Sequence, residues 1–175
     1  VARLISGGLK SKVYMVYMGG FDTHVQQQND DLTGLHPFLL NALSTGIGQF
    51  MQDALAQGFA DRVVGMTVSE FGRRPYENGS RGTDHGTSSI QFVFGNGVNA
   101  GVFGQSPDLT NFDSNGDLVY QYDYRTVYAD ILENWFGGSP DETKSVFDLS
   151  PNENILPLGV IKKTVSSVDA YEGRV

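Results

Sequence analysis

The stretch that decides the fold in this sequence is "KVYMVYM", residues 12–18, followed at once by "GGFDTH", residues 19–24. The first seven residues are rich in valine and tyrosine, and apolar side chains occupy both alternating positions. A strand that is apolar on both faces is typical of the interior of a parallel sheet. The sequence therefore predicts a buried strand whose carboxyl end presents Asp22 and His24.

Four more segments have the pattern of regular secondary structure. Buried strands are predicted at residues 62–68 and 89–95, where short apolar runs occur. An amphipathic helix is predicted at 35–57, because its apolar residues recur at helical spacing, and a second helix at 125–138 ends in glycine. The order of these segments predicts an α/β fold with a mainly parallel sheet.

Composition limits the kinds of partner that this chain can have. Its 175 residues suffice for one domain, and its net charge of −8 argues against nucleic acid, whose phosphates need clustered basic side chains. The absence of cysteine excludes disulfides and thiolate metal sites. No run reaches the roughly 18 apolar residues of a membrane span, so none is expected.

The domain is expected to occupy residues 1–137, because no linker interrupts them. Residues 138–175 are interpreted as a C-terminal extension with weak patterning. The sequence begins with valine rather than methionine, which favours a mature or partial chain.

Polar residues gather in the loops at strand ends. Three pairs share this position: Asp22 with His24, Glu70 with Arg73, and Asp84 with His85. Since open α/β sheets bind ligands at the carboxyl ends of their strands, we expect these loops to converge at one edge of the sheet.

The residue types in these loops favour a divalent metal. Aspartate and neutral histidine are usual zinc ligands, whereas carboxylates also suit manganese or calcium. In an extended segment, residues two apart point the same way, so Asp22 and His24 can chelate one ion. Asp84 and His85 are adjacent and need a backbone bend, which the flanking glycines permit.

Each candidate also has a structural interpretation. Asp22 can cap a helix, and His85 can be a hydrogen-bonded loop histidine. Glu70 can be a ligand, a general base or a helix N-terminal acid, and Arg73 can bind an anion or face solvent. His36 can support a metal site or be an ordinary helix residue.

The segment "DSNGDL", residues 113–118, resembles the front of a calcium-binding loop. Tyr124 stands where the twelfth-position glutamate of such a loop belongs. An Asn-Gly hairpin turn is therefore favoured here.

Four motifs together resemble one family. "GGFDTH", "SEFGR", "NGSRGTDHG" and "DYRTVYADILENWFG" occur in this order over roughly residues 3–137 and are similar to the DUF1501 family, which belongs with the alkaline phosphatase and sulfatase-like superfamily. The resemblance implies a three-layer α/β/α sandwich with a two-metal hydrolytic centre. Its members resemble exported bacterial proteins, often with a twin-arginine signal, which implies a periplasmic or extracellular location.

The resemblance assigns metal ligands in two alternative ways. One metal is implied at Asp22 and His24, although the superfamily's usual spacing is wider. The other is implied at an adjacent Asp-His pair, which by identity is Asp84 and His85. By position along the sheet, Glu70 becomes the ligand instead and His85 the isolated later histidine.

The superfamily's nucleophile lies upstream of these motifs, before the first residue here. The chain is therefore expected to be the C-terminal part of a longer protein, with the upstream half or another chain as partner. Alone, it is expected to associate or be poorly soluble and to hydrolyse no ester. If it were complete, the nucleophile would be sought first at Thr23, Ser69 or Thr83, which flank the proposed ligands.

Two functions are expected on these grounds. The first is metal-dependent hydrolysis of small anionic phosphate or sulfate esters, with Glu70 and Arg73 as catalytic residues. The second is a non-catalytic structural or surface-assembly role on the same scaffold, because a fold alone does not determine function.

Overall fold

The structure, a computed structural model, describes residues 1–162. The described chain forms two compact units: residues 1–60, 68–90 and 107–119 make the first, and residues 61–67, 91–106 and 120–162 make the second. The part of the predicted extension after residue 162 lies outside the described residues.

The regular elements are short except for one helix. In chain order they are α1 (Ala2–Ser6), α2 (Leu35–Ala56), β1 (Gly65–Met66), β2 (Gly72–Arg73), β3 (His85–Gly86), β4 (Val93–Phe94), α3 (Arg125–Asp130) and α4 (Pro140–Val146). One turn of 3₁₀-helix occupies Ala60–Arg62, and a π-helical turn, Ile131–Trp135, continues α3. Both long predicted helices, at 35–57 and 125–138, are thus confirmed to within a turn.

Helix α2 supplies much of the interior of the first unit. Its Leu39 and Ala54 are buried, and Phe50 contacts Phe59 with a centroid separation of 6.3 Å. Gly20 packs against Leu39 and has a φ of 98°, a conformation that side-chain-bearing residues rarely adopt. Gly20, just before "FDTH", therefore lies against α2.

The predicted three-layer sandwich with a mainly parallel sheet is wrong. Among the described residues, the strands form two sheets of two strands each, and both are antiparallel. Strands β1 and β4 lie inside the predicted strands 62–68 and 89–95, but only two residues of each are paired. Antiparallel pairing brings opposite ends of these segments together, so the argument from a common carboxyl edge does not hold.

The predicted buried strand at 12–18 is also wrong. This segment belongs to no helix or strand and has no β-partner among the described residues, and Met15 and Tyr17 are 91% and 86% exposed. Apolar residues on both faces predict burial only when other elements pack on both faces. The described part of the chain supplies no such cover for the odd-numbered face.

The second unit has its own apolar core around α3. Val127, Val160 and Ile161 are its buried centre. Partly buried side chains surround them: Val64, Met66, Val93, Val98, Ile131, Trp135 and Leu158. Gly97 lies where a Cβ would come within 2.6 Å of the Trp135 ring, so the indole packs directly on backbone.

A buried aspartate holds the C-terminal segment of this unit onto α3. The Asp130 side chain is fully buried, and its Oδ2 accepts hydrogen bonds from the amides of Val160 at 2.5 Å and Ile161 at 3.3 Å. Its Oδ1 accepts a bond from the side-chain amide of Asn134 at 2.6 Å. A buried carboxylate is tolerated here because each oxygen has a donor.

We predict that Asp130→Asn lowers the free energy of unfolding by about 1–2 kcal/mol, because a neutral amide cannot accept all three bonds. Urea unfolding followed by circular dichroism measures this. Asp53→Asn, at an exposed position of α2, is the matched control and should change stability little. Equal effects of the two substitutions would contradict the role given to Asp130.

The hairpin interpretation of residues 113–118 is confirmed. Phe112 and Leu118 form an antiparallel bridge, and the amide of Gly116 donates to the carbonyl of Asp113 at 3.0 Å. The Asp113 carboxylate accepts bonds from the amides of Asn115 and Asp117, so it is occupied within its own turn.

None of the described helices is both long enough and apolar enough to cross a membrane.

Candidate metal centre

Three side chains of the first unit bring potential metal ligands together. The Oδ1 atom of Asp22 lies 3.0 Å from Nε2 of His24 and 2.8 Å from Nε2 of His85. Each of the three residues offers one potential ligand atom, and these atoms lie within 4.8 Å of one another. The predicted convergence of Asp22, His24 and His85 therefore occurs, although it does not arise from a parallel sheet.

The donor set fits a divalent ion of the zinc type. With bonds of about 2.0–2.1 Å, ligand atoms around tetrahedral zinc lie about 3.3 Å apart, so the separations from Asp22 need to widen only slightly. Two imidazole nitrogens and one carboxylate oxygen make the three-ligand set of a catalytic zinc site, which keeps one position open. The partial exposure of all three residues leaves room for that position.

Asp84 orients one of these ligands. Its Oδ1 lies 3.2 Å from Nδ1 of His24, the nitrogen that faces away from Asp22. A carboxylate on the outer nitrogen fixes the ring and makes the inner nitrogen a better ligand. Asp84 was predicted as a metal ligand; in this arrangement it holds His24 and is not one of the three grouped residues.

Strand pairing places His85 opposite Arg73. Strands β2 and β3 pair antiparallel, with Arg73 across from His85 and Gly72 across from Gly86. The His85 ring stacks on Phe71 with centroids 3.7 Å apart and planes 11° from parallel. The stacked ring and the paired backbone together direct Nε2 of His85 toward Asp22.

Arg73 ties the two ligand-bearing loops together. Its guanidinium donates to the carbonyl of Phe21 at 2.5 Å and to the carbonyl of Thr83, the residues directly before Asp22 and Asp84. It also lies 3.6 Å from Oδ1 of Asp22. Because two of its donors are engaged by main-chain carbonyls, Arg73 acts on the geometry of the loops; its predicted role as a catalytic residue stays untested.

We predict that Arg73→Lys weakens zinc binding about tenfold, since a single ammonium cannot reproduce the fork that reaches both carbonyls. A competition titration against a chromogenic zinc chelator measures the affinity. Arg3→Lys, at an exposed position of α1, makes the same substitution away from the site and should have no effect. Unchanged affinity for Arg73→Lys would show that the loops hold their positions without it.

Asn78 supports the candidate site through hydrogen bonds and was not predicted from the sequence. Its side-chain amide donates to the carbonyl of His24 at 2.9 Å and to Oδ1 of Asp84 at 3.0 Å, and its Oδ1 accepts bonds from the amides of Ser80 and Gly82. The Asn-Gly pair at the start of "NGSRGTDHG" was the available signal, because asparagine before glycine is typical of tight turns.

The histidines stabilise the charged form of both aspartates. The hydrogen bond from His85 lowers the pKa of Asp22 below its ordinary value of 3.8, and the nearby positive groups add to this. A hydrogen bond from Asn78, and then one from His24, lowers the pKa of Asp84. Burial, and then the charge of Arg73, lowers the pKa of His36, which contacts Phe21 edge-on at 5.9 Å.

When folding lowers the pKa of a carboxyl group, its charged form stabilises the folded state at pH values above the pKa of the unfolded state. This stability is lost as the pH falls through the pKa of the folded state. We therefore predict that metal-free Asp22→Asn is less stable than the unchanged chain at pH values well above 3.8. The difference in stability should disappear once the pH falls below the lowered pKa of Asp22 in the folded state. Urea midpoints measured at about pH 6 and about pH 2.5 test this. A difference that grows on acidification would contradict it.

Other predicted residues lie outside the three-residue group. Glu70 is exposed and is not one of the three grouped residues, and its predicted role stays untested. Arg74 is 3.3 Å from the Asp117 carboxylate. Thr23 is only 2% exposed, and Thr83 donates its hydroxyl proton to Gln27 at 2.8 Å.

The sequence matches the family described as "Protein of unknown function (DUF1501)" over residues 3–134. No curated protein and no solved structure matches the chain. Since the match covers more than half of the 175 residues, the chain belongs to the DUF1501 family.

Proposed function

We propose that this protein carries the metal site of a hydrolase that cleaves phosphate or sulfate esters, related in chemistry to the alkaline phosphatase and sulfatase-like superfamily. One observation carries the proposal: Asp22, His24 and His85 place three potential ligand atoms within 4.8 Å of one another, and Asp84 contacts the outer nitrogen of His24. An ordinary hydrogen-bonded loop would require neither three potential metal-ligand atoms close together nor the Asp84 carboxylate on the outer nitrogen of His24.

In this proposal Asp22, His24 and His85 hold one divalent ion, with zinc preferred and manganese or calcium as alternatives. When bound, the ion supplies a Lewis acid that polarises an oxygen of the ester and stabilises charge on the transferring group. Asp84 keeps the ring of His24 in its binding orientation, and Arg73 keeps the two loops together.

The charges around the site favour a small anionic substrate despite the net charge of −8 on the chain. A divalent ion together with Arg73, which lies 3.6 Å from the Asp22 carboxylate, outweighs the two carboxylates of Asp22 and Asp84. The site therefore becomes locally positive only when metal is present. Hydrolysis adds water across the ester, and the products are an alcohol and the inorganic anion.

The nucleophile is proposed to come from water or from polypeptide upstream of these motifs, as in the superfamily. Within the described residues, the hydroxyl of Thr23 is buried and that of Thr83 is bonded to Gln27, while Ser69 bonds to the carbonyl of Phe71 at 3.0 Å. By the same resemblance, we propose that the protein is exported to the periplasm or the cell exterior.

A second function, non-catalytic assembly at a surface, is favoured by a different observation. The segment 12–18 exposes large apolar side chains, among them Val13 at 73% and Met15 at 91%. Exposed apolar patches of this kind mark sites of protein interaction.

The two functions are separated by measuring metal content and turnover. Bound metal is measured by mass spectrometry on this chain, and hydrolysis of chromogenic phosphate and sulfate esters with added zinc or manganese is measured on a longer form that includes upstream sequence. Both should be lost in His85→Gln and kept in Asp53→Asn. Metal binding without turnover, in this chain and in a longer form that includes upstream sequence, would favour assembly. No metal bound at saturating zinc would refute the proposed site.

A further inference from the structure

We infer that a polar pocket beside the candidate metal centre receives the alcohol part of the substrate, and that this part is a sugar or another polyol rather than an aromatic or aliphatic group. This assignment rests on the proposed function, because a metal ion would hold the anionic end of the same ester. The pocket has a volume of about 300 Å³ and is formed by residues of two segments of the first unit, 27–30 and 77–83.

The pocket shares a wall with the candidate metal centre. Gly82 and Thr83 line it and directly precede Asp84. A Cβ built on Gly82 would come within 2.2 Å of the carbonyl oxygen of His24, so this wall packs on the loop that carries His24. The pocket is therefore placed to receive the rest of a molecule whose anionic group is bound at the metal.

Hydrogen bonds fix the walls of the pocket. The amide of Gln27 donates to the carbonyl of Arg81 at 2.8 Å, and the hydroxyl of Thr83 donates to Oε1 of Gln27 at 2.8 Å. Arg81 has a φ of 60°, a left-handed conformation that residues with side chains rarely adopt. Such conformations persist only where the surrounding structure imposes them, and they cluster at ligand-binding sites. A pocket with fixed walls loses less conformational freedom when it binds.

The lining disfavours apolar and anionic groups. None of the described residues that line the pocket has an aromatic or wholly aliphatic side chain, so an aryl or lipid group would gain little from burial there. The charged residues are Asp30, Glu77 and Arg81, and the ion pair between Arg81 and Asp30 leaves one negative charge. Because that charge repels a second anion, the phosphate or sulfate group is directed to the metal.

The remaining polar groups of the pocket offer both donors and acceptors. Among residues 1–162, the side-chain amide of Gln28, Nε2 of Gln27 and the carboxylate of Glu77 make no hydrogen bond. An amide group donates and accepts, whereas a carboxylate only accepts. Hydroxyl groups do both, so neighbouring hydroxyls of a polyol match this set. An ammonium group would leave the amide donors without partners.

Equilibrium binding to the zinc-loaded chain tests this assignment, with glucose 6-phosphate and phenyl phosphate as probes. Both carry a phosphate group, and they differ in the part that they offer to the pocket. Isothermal titration calorimetry should show that glucose 6-phosphate binds about tenfold more tightly, which corresponds to one or two net hydrogen bonds. Gln28→Ala should remove that preference by weakening the binding of glucose 6-phosphate alone, and Gln52→Ala, at an exposed position of α2, should keep it.

Free glucose separates a failure of the pocket from a failure of the metal site. In the metal-free chain, excess glucose should shift the NMR signals of the side-chain amides of Gln27 and Gln28, and His85→Gln should keep these shifts while losing phosphate binding. If zinc did not bind but glucose shifted these signals, the hydrolase proposal would fail and the polyol pocket would stand. Equal affinities of the zinc-loaded chain for the two phosphates would overturn the inference. So would tighter binding of choline phosphate than of glucose 6-phosphate, or glucose that shifts neither signal.

Discussion

Replacing Asp22 by asparagine should weaken zinc binding by about 100-fold, because it removes the only carboxylate among the three grouped ligand atoms. The Oδ1 atom of Asp22 is the point that both histidines share, at 3.0 Å and 2.8 Å. An amide oxygen is a poorer zinc ligand than a carboxylate and leaves the charge of the ion less compensated. Any ester hydrolysis that depends on the metal should fall with occupancy.

A competition titration with a chromogenic zinc chelator near neutral pH gives the affinity, and circular dichroism verifies the fold. Asp53→Asn makes the same chemical change on the exposed surface of α2 and should keep the affinity of the unchanged chain. The affinity should also fall on acidification, because histidine ligands must lose their protons to bind metal. If Asp22→Asn bound zinc as tightly as the control, the ion would be held elsewhere and the proposed centre would be wrong.

The variant Asp84→Asn distinguishes a residue that binds the metal from one that only orients a ligand. Because Asp84 acts through Nδ1 of His24, its loss should weaken zinc binding less than the loss of Asp22. Equal losses would favour the alternative in which Asp84 is itself a ligand, as the sequence first indicated. The comparison therefore tests the assignment of roles as well as the presence of a site.

Local patterns predicted local structure well in this chain. Helix α2 follows from apolar residues at helical spacing, and the turn at 113–118 follows from an Asn-Gly pair, because both depend on residues close in sequence. The segment 12–18 was predicted wrongly, since burial on both faces depends on neighbours that no local pattern specifies. The parallel sheet was wrong for the same reason: strand direction is set by long-range pairing.

The candidate site was predicted in part. Asp22, His24 and His85 were found because chemically suitable residues next to glycines are visible in the sequence. The sequence does not show which of two adjacent residues faces inward, so Asp84 and His85 were predicted to act alike, although in the structure Asp84 contacts His24 and His85 contacts Asp22. Arg73 was predicted from the sequence to bind an anion or to face solvent. Its hydrogen bonds to two main-chain carbonyls depend on the pairing of β2 with β3, which the sequence does not show.

The site also depends on a glycine that no ligand pattern identifies. Gly82 is buried, and its amide donates to Oδ1 of Asn78 at 3.1 Å. A Cβ built on Gly82 would collide with the carbonyl of His24 and come within 2.7 Å of the carbonyl of Thr23. Both obstacles are backbone atoms of the loop that carries Asp22 and His24, so they cannot move without displacing the ligands.

Gly82→Ala should therefore lower the free energy of unfolding by about 3 kcal/mol and abolish tight zinc binding, since relief of the clash separates the two ligand-bearing loops. Gly79→Ala is the matched control: it lies three residues away in the same loop, and its added Cβ meets nothing within 4 Å. Urea unfolding and the chelator titration, run on both variants, distinguish steric exclusion from a general effect of alanine in this loop. If Gly82→Ala kept both stability and zinc affinity, the loops would not be packed backbone to backbone, and the convergence of Asp22 and His24 with His85 would lose its structural basis.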